Sequence, residues 1–102
     1  MASRPGSRRA RLLVVAPRSV VPRLVARLAA AGHAPVGAST DGEATRLMDA
    51  APDALVLDGG VSLARRTALA ARFTARFPGR PVVEHTGGPS ALAQAVGRAV
   101  RG

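Results

Sequence analysis

Four short apolar runs alternate with four segments of helical period along this chain, and no other feature restricts the fold as much. The runs are RLLVVAP (11–17), APVGAS (34–39), DALVLD (53–58) and PVVEHT (81–86). The first and third have no polar side, so strands built from them must be buried on both faces, as in a parallel sheet. APVGAS is the weakest of the four. Between and after them lie helical segments of 10 to 17 residues. Strands that alternate with helices of this length specify a parallel sheet covered on both sides.

The helices carry their own start and stop signals. In RSVVPRLVARLAAAGH, Val21, Leu24, Val25 and Leu28 share a face, with Arg23 and Arg27 opposite. Ser19 is the expected N-cap, Pro22 fits only the first turn, and Gly32 ends the helix. In TDGEATRLMDAA, Thr40 and Glu43 form a capping box, Ala44, Leu47, Met48 and Ala51 face inward, and Pro52 stops the helix. In VSLARRTALAARFTARF, Leu69, Phe73 and Phe77 form an inward stripe and Arg65, Arg72 and Arg76 the wet side. Ser62 is placed to cap this helix. The last helix, SALAQAVGRAV, turns Leu92, Ala95, Val96, Ala99 and Val100 inward.

With 102 residues the chain fits one small domain, and its 47% hydrophobic content suffices for a core of Ala, Val and Leu. Residues 1–10, MASRPGSRRA, read as a disordered basic arm, and 11–102 as the α/β domain. No apolar run reaches the roughly 20 residues that span a bilayer, and no secretory signal is evident. Without cysteine there is no disulfide or thiolate site, which makes a cytoplasmic location the expectation.

Several chemistries lack their residues. No G-x-G-x-x-G follows the first strand, and a chain without lysine has no Walker A motif. His33 and His85 stand apart from any metal-binding spacing, and no serine sits in a nucleophile elbow. An enzymatic role and a cofactor find no support. What remains is the carboxyl end of the sheet, where ligands gather in open α/β folds. Ala16 and Pro17 end the first strand there, Asp58 the third and Thr86 the fourth.

The segments RLLVVAP, DALVLDGG and RPVVEHTGG resemble, over residues 11–100, the receiver domain of response regulators, the flavodoxin-like module of two-component signalling. PDALVLD (52–58) is the most specific piece. The resemblance implies that Asp58 stands at the phosphoacceptor position and Thr86 at that of the hydroxyl residue ending the fourth strand. It also exposes departures. The family ends its first strand with two acids that hold Mg²⁺, where this chain has Ala16 and Pro17. The family's lysine after a fifth strand has no counterpart. HTGGPSALAQAV runs almost directly from the fourth strand into the last helix, so the usual fourth helix and fifth strand are missing. Phosphoryl transfer needs charge neutralisation at the transferring oxygens. The expectation is therefore a degenerate, four-stranded receiver-like domain without phosphoryl chemistry, in which Asp58 caps the DGG turn.

Partners follow from the same reading. Receiver domains commonly dimerise through the segment missing here, which leaves the fourth strand and last helix as the expected surface for a homodimer or a regulatory protein. The alternative rests on charge. The chain has 15 arginines, no lysine and 6 acids. Arg4, Arg8, Arg9 and Arg11 crowd its start and are the candidate contacts for nucleic acid.

Overall fold

A computed structural model describes residues 9–85 and 89–101. Its elements alternate throughout: β1 (Arg11–Val15), α1 (Val21–Ala30), β2 (Ala34–Ala38), α2 (Asp41–Leu47) with a 3-10 turn (Met48–Ala50), β3 (Ala54–Asp58), α3 (Leu63–Arg76), β4 (Val82–His85) and α4 (Pro89–Arg101). The four strands are parallel in the order β2-β1-β3-β4, a flavodoxin-like arrangement. No helix among the described residues is long and apolar enough to cross a membrane.

The strand sequences explain their places. β1 and β3 are central, and Leu12–Val15 and Ala54–Leu57 are fully buried, which is why neither alternates with polar residues. Successive side chains point to opposite faces. Leu12, Val14, Ala54, Val56 and Val83 pack with Leu24 and Leu28 of α1 and Leu92 and Val96 of α4. Leu13, Val15, Leu55 and Leu57 pack with Ala44, Met48, Leu69 and Phe73 from the α2–α3 side. The domain thus has three layers and two cores. Each fully buried Leu, Val or Phe contributes about 1.5–3 kcal/mol.

β2 is an edge strand with Val36 44% exposed, which accounts for its weak sequence signal. Its Gly37 has a packing reason. A Cβ there would collide with the Val21 side chain and press on Val25, so α1 lies against β2 only because the side chain is absent.

The helix ends match the sequence signals with three differences, one being that α2 ends at Leu47, so that Ala51, expected on its inward face, lies beyond the 3-10 turn. The N-cap of α1 is Val20, and no side chain caps it; Pro22 lies in the first turn, and the Pro17 carbonyl accepts the N–H groups of Val20 and Val21 at 2.8 and 3.1 Å. Ser19, an exposed turn residue, is therefore not the cap. At the other end Gly32 has φ +96° and its N–H reaches Ala29 O, while the His33 N–H reaches Leu28 O, a Schellman closure that favours glycine.

In α2 the Thr40 hydroxyl accepts the Glu43 N–H at 3.1 Å, but the Glu43 carboxylate reaches one residue farther back than a capping box would, to the N–H and hydroxyl of Ser39 at 3.0 and 3.3 Å. Ser62 caps α3 by accepting the Arg65 N–H at 3.3 Å. Leu69 and Phe73 are buried, and Phe77, half-buried, meets Phe73 with ring centroids 5.2 Å apart.

Candidate functional site

Parallel strands bring three chain segments to one carboxyl edge. The β1–β3 register, Val15 beside Leu57, places Ala16 level with Asp58, and Asp58 itself pairs with His85 of β4. Ala16 is 1% exposed and its N–H donates to Ala38 O, so this position is filled by a methyl group in the core. Pro17 follows, half-buried.

Asp58 is half-buried and closes the turn that follows it. Its Oδ2 accepts the Gly60 N–H at 2.8 Å, and its backbone carbonyl accepts the Val61 N–H at 3.0 Å. The Gly59 N–H donates to the His85 carbonyl at 2.6 Å, tying the turn to β4. An Asx turn of this kind is what a short carboxylate does beside two glycines. Pro17 packs over it: a Cβ on Gly60 would lie 2.7 Å from Pro17 Cγ and 2.9 Å from Asp58 Oδ2. Turn and proline ring are therefore fitted to each other. Thr86 lies outside the described residues.

The other carboxylates near this edge are engaged elsewhere. Asp41, at the start of α2, pairs with Arg65 Nε at 2.8 Å. The Ser39 backbone N–H holds the Glu43 carboxyl below its ordinary pKa by favouring the ionised form. Partial burial opposes this, and the Ser39 hydroxyl, the Thr40 N–H and the Arg46 charge add to the lowering. Glu84 on β4 pairs with Arg66 Nη1 at 3.0 Å, and Arg66 Nε also donates to the Val61 carbonyl at 2.9 Å, so this arginine fastens the end of the Asp58 turn to β4.

Mg²⁺ requires near-octahedral oxygen ligation, usually with one or two carboxylates. Among the described residues no group of three or more His, Asp or Glu side chains could hold a metal ion. At the strand ends Asp58 has Ala16 and Pro17 of the β1 end on one side and His85 of β4 on the other. A lone carboxylate whose Oδ2 is already bonded to the Gly60 N–H does not make a Mg²⁺ ligand set.

The opposite edge holds a feature that the sequence does not signal. Ala51 adopts φ +54°, a left-handed conformation that alanine rarely takes. Its carbonyl accepts Arg11 Nη2 at 3.2 Å and Arg80 Nη1 at 3.0 Å, and Arg80 also reaches the Pro52 carbonyl at 2.9 Å. The Arg80 guanidinium stacks 4.7 Å from the Phe77 centroid. Arg11 is thus the first residue of β1, bonded into the domain through its side chain and, through its N–H, to Asp53 Oδ2 at 2.8 Å. Arg9 is exposed, while Arg4 and Arg8 lie outside the described residues. The candidate nucleic-acid contacts therefore do not act alike: Arg11 has a structural role in addition to its charge.

No protein-family model matches this chain, and no curated protein matches it either.

Proposed function

We propose that this chain is a receiver-like regulatory module of a bacterial signalling or transcription-control system, one that acts through protein contacts and without phosphoryl transfer. The reading is carried by one observation: the Asp58 carboxylate is bonded to the Gly60 N–H inside a turn roofed by Pro17, with Ala16 level with it on the next strand. A phosphoryl acceptor at this position needs cations around its oxygens. The end of β1 supplies a methyl group and a pyrrolidine ring instead.

The contact surface is the open backbone edge of β4, beside α4. β4 ends the sheet, and its far side has no strand partner among the described residues. An open edge invites a second strand. Antiparallel pairing of two copies across a two-fold axis normal to the sheet makes one eight-stranded sheet of two identical four-stranded halves.

Incubation of the protein with acetyl phosphate and Mg²⁺, read by intact mass, tests the reading. An unchanged mass is expected. A stoichiometric phosphoryl adduct at Asp58 overturns it.

A further inference from the structure

The charge of this chain is divided unevenly along its sequence. Residues 41–84, which include α2 and α3, hold six arginines and all six acids and are neutral overall. Residues 1–40 and 85–102 hold the other nine arginines and no acid, and so carry the whole net charge of +9. These two flanking segments are far apart in sequence, yet the fold brings a helix from each together. They supply α1 and α4, which lie on one face of the sheet and share the core formed by Leu24, Leu28, Leu92 and Val96.

Among the described residues, the ion pairs Arg65–Asp41, Arg66–Glu84 and Arg76–Asp49 lie within 41–84. On the α1–α4 side Arg18, Arg23, Arg27 and Arg98 are exposed, and neither helix contains a carboxylate. A last-turn arginine such as Arg27 is accounted for by the helix dipole, which favours cations at that end. That account does not extend to Arg18 or Arg23, which lie before and at the start of α1. Nor does it explain a layer without acids, since crowded like charges oppose compact folding.

From this partition we infer that the α1–α4 face binds the phosphodiester backbone of a nucleic-acid duplex, independently of the regulatory reading above. The texture of the face selects this occupant. A protein partner is held mainly by buried apolar or aromatic anchors. Among the described residues the exposed large hydrophobic side chains are Val36 and Leu63, and neither is on α1 or α4. Between its arginines α1 exposes only Pro22 and alanines. Single strands are held by aromatic stacking platforms, and both aromatic residues, Phe73 and Phe77, pack on the α2–α3 side. What the face offers is spaced guanidinium groups, the donors that suit phosphate oxygens. Binding of this kind is independent of base sequence and strongly dependent on salt.

The test uses the full chain and fluorescence anisotropy with labelled DNA and RNA duplexes of ~20 base pairs at about 50 and 200 mM salt. Two triple variants remove the same charge: R18Q/R23Q/R98Q from the proposed face and R65Q/R72Q/R76Q from α3. The first is expected to weaken binding by about tenfold or more at the lower salt and to reduce the salt slope by roughly 2–3, as expected for lost phosphate contacts. The second is expected to stay within about threefold of the parent. Should the α3 variant fail to fold by circular dichroism, R23E and R46E make the same comparison at one site on each layer. Stronger binding to one duplex type identifies which nucleic acid is preferred. Equal losses from both faces, no binding of either duplex at the lower salt, or equally tight binding of polyglutamate with the same variant dependence overturns the inference.

Discussion

The carboxylate of Asp58 and the backbone N–H of Gly60 are 2.8 Å apart, and the Pro17 ring stands where a side chain on Gly60 would go. An amide oxygen can accept the same hydrogen bond, so Asp58→Asn is expected to keep the fold with a loss under about 0.5 kcal/mol. Asp58→Ala leaves the N–H without its partner and is expected to cost about 1 kcal/mol. Gly60→Ala forces the turn against the ring and is expected to cost about 1–3 kcal/mol. Urea unfolding of the three variants measures the order. A fold indifferent to Gly60→Ala contradicts the fitted turn.

Gly37 and Val21 give a second packing test. Gly37→Ala places a methyl group inside the Val21 side chain, so α1 must lift from β2. The expected cost is about 1–3 kcal/mol, and Gly37→Val should be worse. Combining Gly37→Ala with Val21→Ala should recover part of the loss, which a double-mutant cycle detects.

The start of α2 predicts a pH dependence. The Glu43 carboxyl titrates lower in the folded protein than in the unfolded chain, chiefly through the Ser39 N–H. Its contribution to stability is therefore fully present above the unfolded carboxyl pKa, about 4.3, and is lost as the pH falls through the lower folded value. Glu43→Gln should reduce stability at neutral pH and flatten its decline in acid. Thr40→Ala removes the hydroxyl that accepts the Glu43 N–H and is expected to cost about 1 kcal/mol at any pH. Denaturation midpoints at neutral and acid pH check both.

The open side of β4 predicts the state of association. A two-fold axis normal to the sheet pairs two β4 strands antiparallel and leaves both α1–α4 layers on the same side. The basic face is then continuous across the pair. Light scattering after size exclusion is expected to give twice the 10.4 kDa chain mass. A monomer at micromolar concentration contradicts the proposed dimer.

The sequence reveals the strand order along the chain, the central places of β1 and β3, and the inward faces of α3 and α4, because each is written as a hydrophobic period. The cap of Ser62 and the Gly32 stop are equally legible, since few residue types do those jobs. Ser19 misleads because the Pro17 carbonyl already accepts the first N–H groups of α1. Glu43 and Thr40 announce a box, but the turn geometry makes Ser39 the main partner of the carboxylate. The left-handed Ala51 has no signal, because two arginines distant in sequence meet at its carbonyl. The charge division is present in the sequence throughout, yet it has no meaning until the fold shows that α1 and α4 share one layer.

The Asp58 carboxylate is proposed to serve its own turn rather than an incoming ligand. The ¹H–¹⁵N resonances of Gly59, Gly60 and Val61 report on it directly during titration with Mg²⁺. Unmoved amides up to millimolar Mg²⁺ are the predicted result. A saturable shift at these three residues that disappears in Asp58→Asn contradicts the account.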